Sequence, residues 1–416
     1  MDLKKIIIEY QNFLKDIKVI KRDYIIDPKT NYVITGIRRA GKTWFLFQII
    51  KQYYKNNFER ILYVNFEDER FIGFKAGDFD ALLDAYYELY PTGKPVLFLD
   101  EIQNVDGWQK FCRRVADQKY RIYITGSNAK MLSSDIATTL GGRFMTLEIS
   151  PLSFVEFLHF KGIKITRNDL YNRKSNLIKN IFSEYFLYGG FPEMLNINDK
   201  RGYLHNIFTT VLYNDIIVKS KIRDTQGIRL LIKKLAESTN DELSFNRIRN
   251  LLNAAGAKAG TSTIISWIES LKDSFLTAEL QNLNYRFSER ETKKKYYFVD
   301  NGLLFALGES SQAKLLETLV FNVLRKQYNE ILFFKSTTSE IDFVVPGQTL
   351  FQVSAEINNE KTRKREIKSL LKASDYLKIN DLRLITYDYE DNLVINSRKI
   401  SIIPIWKLIL NQTVTK

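Results

Sequence analysis

The segment Gly36-Ile37-Arg38-Arg39-Ala40-Gly41-Lys42-Thr43 sets two glycines, a lysine and a hydroxyl at the spacing G-x-x-x-x-G-K-[ST]. It lies between the strand-like run Tyr32-Val33-Ile34-Thr35 and an apolar helix beginning at Trp44. Each residue type has a physical reason. Gly36 and Gly41 let backbone N–H groups curl around phosphate oxygens, Lys42 reaches the β- and γ-phosphates, and Thr43 offers a hydroxyl to Mg²⁺. The helix that follows aims its N-terminal N–H groups at the same charge. Residues 36–44 are therefore expected to cradle the phosphates of ATP. Arg38 and Arg39, inside the loop, either touch nucleotide or face solvent.

Phosphate binding does not by itself hold a metal. Pro95-Val96-Leu97-Phe98-Leu99 runs into Asp100-Glu101, the pattern of a buried parallel strand ending in paired acids. Asp100 is placed to hold Mg²⁺ through water, and Glu101 to polarise the attacking water. Two more strands fit the same sheet. One, at 61–66, runs into Glu67-Asp68-Glu69, and the other, at 121–125, runs into Gly126-Ser127-Asn128. Open parallel sheets carry their sites at strand carboxyl ends, so Thr125, Ser127 or Asn128 is expected to orient the water, while the others cap the next helix. Arg143, after Gly141-Gly142, has two readings: a finger on a γ-phosphate, its own or a neighbouring subunit's, or a structural salt bridge.

The rest of the chain must position these groups. A length of 416 residues exceeds the ~250 residues at which single cores stop growing, so several domains are expected. Hydrophobic content of 45% with 13% aromatic suits packed cores rather than disorder. One cysteine, Cys112, excludes an internal disulfide framework and is expected to be a buried thiol, and two histidines build no zinc site. No run of 18 apolar residues occurs, so no membrane span is expected. The first ten residues read as an amphipathic helix of a cytoplasmic protein rather than a signal peptide. Net charge is +14, and residues 218–298 hold 15 Lys and Arg against 9 Asp and Glu. That balance favours phosphate-bearing polymers such as DNA.

Residues 152–217 read as helices, interrupted by Gly189-Gly190-Phe191-Pro192-Glu193, which is expected to be a tight helix–helix corner. Residues 225–298 read as a winged helix. Its first helix carries Leu230, Leu231 and Leu235, a second is capped by Ser244, and a third opens at Thr261. Two strands then flank a turn bearing Arg286, Arg290, Lys293, Lys294 and Lys295. That shape can enter a major groove while the wing grips phosphate. The solvent face of the third helix, with Ser262, Thr263, Ser266, Glu269 and Ser270, has no arginine for base edges. DNA binding is therefore expected to be non-specific, with protein contact as the alternative.

With these motifs in hand, the chain resembles a widespread set of prokaryotic AAA+-like P-loop ATPases of poorly known function. The resemblance rests on the phosphate loop, Leu99-Asp100-Glu101-Ile102-Gln103, Ile124-Thr125-Gly126-Ser127-Asn128, Gly142-Arg143, Gly189-Gly190-Phe191-Pro192-Glu193 and Tyr297-Phe298-Val299-Asp300-Asn301-Gly302-Leu303. It spans nearly the whole chain in the family order. It implies an α/β P-loop domain with a parallel sheet, then a helical and winged-helix region, and a C-terminal α/β domain resembling restriction endonucleases. It also implies ATP and Mg²⁺ as ligands, residues 125–128 as a polar sensor strand, and Arg143 as a finger between subunits of a homo-oligomer.

A nuclease of the restriction-endonuclease type needs an acid at the end of one strand, and an acid and a lysine two apart on the next. Glu317 and Asp342 match the first part, but Gln352 stands where the acid should be and Ser354 where the lysine should be. The expected layout is a P-loop ATPase domain over 1–150, a helical lid over 151–217, a winged helix over 218–298, and an inactive endonuclease-like domain over 299–416. The expected function is ATP hydrolysis coupled to conformational change, acting on DNA or a DNA-associated complex. The alternatives are a switch acting on protein partners and an ATP-dependent nuclease.

Overall fold

Five short runs of the first 150 residues become parallel strands: β1 (Asn31–Thr35), β2 (Ile61–Asn65), β3 (Val96–Asp100), β4 (Arg121–Gly126) and β5 (Phe144–Glu148), in the order β2-β3-β4-β1-β5. Every residue of β1 and β3 is buried, as near-continuous apolar runs require in a sheet covered on both faces, whereas edge strand β5 is largely open. Helices Lys42–Tyr53, Phe79–Leu89 and Trp108–Asp117 follow β1, β2 and β3. Phe79 and Phe111 stack at 4.0 Å in the core between two of them. The amphipathic N-terminal run forms the helix Leu3–Asp16, which buries Ile6, Ile7 and Leu14. Cys112 is fully buried, and burial pushes its thiol far above the ordinary range.

This computed structural model describes residues 2–55, 57–132 and 134–414. The chain divides into two compact units, residues 1–150 with 273–275, and residues 151–272 with 276–416. Among the described residues no helix is long and apolar enough to cross a membrane.

In the second unit, Ser153 and Glu156 cap the helix Phe154–Phe160 reciprocally: Glu156 N donates to Ser153 Oγ at 3.2 Å, and Ser153 N to Glu156 Oε2 at 2.8 Å. Helices Lys174–Tyr188 and Lys200–Thr210 are joined through Gly189-Gly190 and a short 3₁₀ turn, Pro192–Asn196. Gly189 has φ +75°, which favours glycine. The buried carboxylate of Asp300 accepts from Gly190 N and Gly302 N, both at 2.8 Å, so two distant motifs meet on one side chain. A Cβ on Gly190 would lie 2.2 Å from the Leu152 carbonyl oxygen.

Three helices, Thr225–Glu237, Phe245–Ala254 and Thr261–Asp273, accompany a small sheet of β6 (Leu243–Ser244), β7 (Thr277–Gln281) and β8 (Lys293–Phe298), ordered β6-β8-β7. The basic turn differs from its expected form. A short helix, Phe287–Thr292, fills it, and β8 already begins at Lys293. Lys294 and Lys295 are therefore strand residues and buried. Lys294 pairs with Glu279 at 2.9 Å and Glu291 at 3.4 Å, and Arg290 donates to the carbonyls of Tyr285 and Leu283.

The C-terminal sheet runs β13 (Asp391–Ile395), β14 (Arg398–Pro404), β12 (Asp381–Thr386), β11 (Thr349–Ser354), β10 (Glu340–Val345) and β9 (Leu332–Lys335). β9, β10 and β11 form an antiparallel meander, and β12 pairs parallel with β11. Parallel pairing needs a crossover, which the helix Glu360–Leu377 supplies. Helix Gln312–Gln327 precedes the meander.

The corner generates a prediction. Gly190→Ala should destabilise the second unit by about 1–3 kcal/mol, since its methyl meets backbone that cannot give way. Asp300→Asn, which can accept with one oxygen, should cost a similar ~1–3 kcal/mol. Both should lower the midpoint of urea unfolding; unchanged midpoints would remove the corner as a stabilising contact.

Candidate active site

The loop between β1 and the helix Lys42–Tyr53 takes the conformations its glycines permit. Gly36 has φ +142°, and a Cβ there would fall 2.0 Å from the Ile149 carbonyl oxygen; Gly41, at φ +99°, caps the helix. Lys42 is buried and donates to the carbonyls of Gly36 at 3.1 Å and Ile37 at 3.4 Å, with the Glu101 carboxylate 3.3 Å away. Ile37 and Ala40 are buried, and Arg39 has φ +67°. Arg38 pairs with Glu67 after β2 at 2.6 Å, and Trp44 stands half exposed at the first helical turn.

Asp100 ends β3 with no exposed surface. Its carboxylate accepts from the Tyr63 hydroxyl at 2.9 Å and from the hydroxyls of Thr125 and Thr43. Burial, followed by the neighbouring Glu101 charge, pushes its pKa up to about 6 against the opposing pull of those hydrogen bonds. Glu101 turns the chain at φ +51°, its N–H donating to Thr125 Oγ1 at 2.9 Å. Gln103 Nε2 donates to Glu101 Oε2 at 2.5 Å.

Of the sensor candidates, Thr125 commits its hydroxyl proton to Asp100 and accepts from Glu101, so it braces the two acids. Asn128 Oδ1 caps Lys130 N at 2.7 Å, and Ser127 is buried. Arg143 lies elsewhere. β5 runs parallel to β1 with Phe144 opposite Asn31 and Glu148 opposite Thr35. Arg143 thus sits at the amino end of the sheet, whereas the phosphate loop leaves the carboxyl end, four strand residues or about 13 Å further on. Its guanidinium bonds to Asp117 and to the Gly141 carbonyl. The pair with Asp117 matches the structural salt bridge, one of the two readings of Arg143.

The C-terminal acids gather around a group from another element. Lys295 Nζ of β8, almost wholly buried, lies 3.1 Å from Glu340, 3.7 Å from Glu317 and 3.9 Å from Asp342. Tyr297 OH donates to Glu317 at 2.6 Å, and Asp342 Oδ2 accepts from Val353 N at 2.9 Å. Gln352 bridges Asp342 N and Glu366 Oε2. Burial raises Glu317 and Asp342 above the usual carboxylate range, and the surrounding acids raise Lys295. Ser354 ends β11, buried. Sequence reading assigned Lys295 to the wing. The signal that places it was the alternation of β8, which puts Lys295 and Tyr297 on one face. Tyr63, Gln103 and Glu366 were likewise missed as partners, and no spacing rule links Tyr63 to Asp100.

These features define a P-loop ATPase fold, and residues 28–158 match the family model described as an AAA domain. Residues 179–314 match a domain of unknown function, DUF8612. The chain belongs to the same family as the uncharacterized protein MJ1544 of Methanocaldococcus jannaschii, 36% identical over 97% of this chain and 94% of that one. An uncharacterized protein of Haemophilus influenzae is 32% identical over 98% of this chain and all of that one. Among solved structures, the Walker-type ATPase paby2304 of Pyrococcus abyssi aligns with 15% identity and a TM-score of 0.41, over 71% of this chain and 100% of that one.

The buried cluster generates a prediction. Lys295→Met leaves carboxylates without their counter-charge and should cost about 3–5 kcal/mol at neutral pH. The loss should shrink as the pH falls, because Glu317 and Asp342, whose folded pKa values are raised, take up protons and no longer need the cation. A pH-independent loss in urea unfolding would refute the electrostatic account.

Proposed function

We propose that this chain hydrolyses ATP with Mg²⁺ at the loop 36–43 and the carboxyl ends of β3 and β4, and that hydrolysis rearranges residues 151–416 on DNA or a DNA-associated complex. The observation that carries the ATPase reading is the convergence of the Lys42–Glu101 and Thr43–Asp100 contacts, which join the helix after the phosphate loop to the end of β3. On this reading Lys42 leaves the Gly36 and Ile37 carbonyls for the β- and γ-phosphates. The water oxygen bonds to the γ-phosphorus, the bond to the β,γ-bridging oxygen breaks, and ADP keeps that electron pair. The water proton passes to Glu101. Two adjacent acids with a buried, elevated Asp100 suit a divalent cation, and Thr43 and Asp100 would hold it. Mg²⁺ would neutralise charge on the phosphate oxygens.

We read residues 151–217 as a lid and 218–298 as a winged helix, supported by the order of three helices, two strands and a wing. Residues 299–416 read as an inactive endonuclease-like domain. The antiparallel meander followed by a parallel strand, with flanking helices, supports that reading, as does the cation already seated among its acids. The excess charge of residues 218–298 supports DNA, and exposed Arg247, Lys258 and Arg286 are the candidates for phosphate contact. A second reading, a switch acting on protein, is favoured by the burial of Lys294 and Lys295, which shrinks the basic wing. The Asp117 pair supports a structural role for Arg143, with a neighbouring subunit's nucleotide as the alternative.

Lys42→Ala should abolish turnover, and Glu101→Gln should trap bound ATP. A wild-type chain that releases no phosphate from ATP with Mg²⁺ overturns the reading. Turnover should fall on the acid side with an inflection near pH 6, as Asp100 takes up a proton, and excess Mg²⁺ should move the inflection lower. A Mg²⁺-independent acid limb would remove Asp100 as the metal ligand. Duplex DNA should shift in a gel at low salt and be released at high salt; absence of a shift at micromolar protein selects the protein-partner reading.

A further inference from the structure

The short 3₁₀ turn Ile102–Asn104 after Glu101 is held on several sides. Asn104 N donates to Glu101 O at 3.2 Å, Asn104 Nδ2 to Phe66 O at 3.3 Å, and Ile102 is fully buried. The turn sends the Gln103 amide back toward the base that precedes it by two residues. A carboxylate only accepts, so the group 2.5 Å from Glu101 Oε2 must be Nε2, which fixes the orientation of the amide. Gln103 Oε1 then points the other way. It is buried and accepts no hydrogen bond among the described residues. The space it occupies exists because residue 126 is glycine. A Cβ on Gly126 would lie 2.4 Å from Oε1 and 2.0 Å from Met131 Sδ. The Gln103 amide therefore reaches from the end of β3 to the end of β4, beside Ser127.

Lys42 and Gln103 both hold Glu101, but they differ once nucleotide arrives. Lys42 cannot serve the phosphates and keep its 3.3 Å contact with Glu101 unchanged, whereas Gln103 has no competing task. A neutral amide is also the suitable partner for a base, because a cation would lower its proton affinity. We infer that Gln103 is a positioning residue for hydrolysis, which fixes the Glu101 carboxylate through Nε2 while its buried Oε1 packs over Gly126 and holds the amide in that orientation. It takes no proton itself. This rests on the ATPase reading above.

Three variants test it, with thermal melting and binding of a non-hydrolysable ATP analogue measured alongside turnover. Gln103→Ala should lower kcat about ten- to a hundredfold, the scale on which loosened geometry acts, with KM and analogue affinity within about twofold. Gln103→Glu offers only acceptors to Glu101 at neutral pH, so it should lose kcat as Gln103→Ala does, with KM and analogue affinity again within about twofold. Gly126→Ala, whose methyl takes the space of Oε1, should reproduce the kcat loss of Gln103→Ala, and combining the two should add little. Wild-type kcat in Gln103→Ala, or a loss confined to KM, overturns the inference while leaving the ATPase reading intact. Wild-type kcat in Gln103→Glu overturns it too, and that variant decides should Gln103→Ala fail to bind the analogue. Absence of turnover in the wild type overturns the ATPase reading and this inference together.

Discussion

The fully buried carboxylate of Asp100 is the constraint around which the first unit is organised. A carboxylate without water must be satisfied by fixed donors, and those arrive from three directions: Tyr63 on β2, Thr125 on β4 and Thr43 beside the phosphate loop. The strand order β2-β3-β4 puts the Tyr63 and Thr125 hydroxyls on either side of β3. The same hydroxyl of Thr125 accepts the Glu101 N–H, so the two acids share one brace. Glu101 in turn bears a left-handed backbone, a strained state for a side chain of its size, and that strain persists only because the surroundings over-determine it. A raised Asp100 pKa means that these donors do not fully offset the cost of its burial.

Much of this unit was legible because its chemistry is local in sequence. Backbone N–H groups, a lysine and a hydroxyl must come from eight consecutive residues to wrap one phosphate chain, and a strand ending in two acids declares itself by pattern. Apolar runs bounded by turn residues likewise marked the strands of the sheet. Legibility fails where a residue's role is set by strand register. Thr125 and Asn128 could not be told apart by spacing, since only the sheet pairing shows that Thr125 faces Asp100. Arg143 was ambiguous for the same reason: the parallel register of β1 and β5 decides which end of the sheet it occupies.

The second unit shows the limit more sharply. Lys293-Lys294-Lys295 looks like a solvated basic turn, and composition gives no reason to bury it. The antiparallel ladder between β7 and β8 overrides that, because Lys294 and Lys295 become successive strand residues facing opposite sides. One side offers Glu279, and the other offers Glu317, Glu340 and Asp342. Burying either lysine is tolerable only with those acids in place. The corner at Gly189-Gly190 was readable as a turn, but its anchor, Asp300, lies 110 residues on and is found only in three dimensions.

The two acidic clusters can now be compared on physical grounds. Both collect buried carboxylates of raised pKa, yet they differ in what compensates them. Around Asp100 the partners are neutral hydroxyls, with one ammonium, Lys42, which the phosphate loop can withdraw toward nucleotide. Around Glu317 and Asp342 the cation belongs to a strand, locked in a ladder on both sides, and cannot be withdrawn without unpairing β8. A second cation would meet Lys295 at close range and be repelled, and the neutral Gln352 adds no charge to offset it. The first arrangement is therefore built to exchange ligands, and the second to hold two elements of one unit together. On the proposed ATPase reading, that contrast favours movement driven by nucleotide exchange over a second reaction.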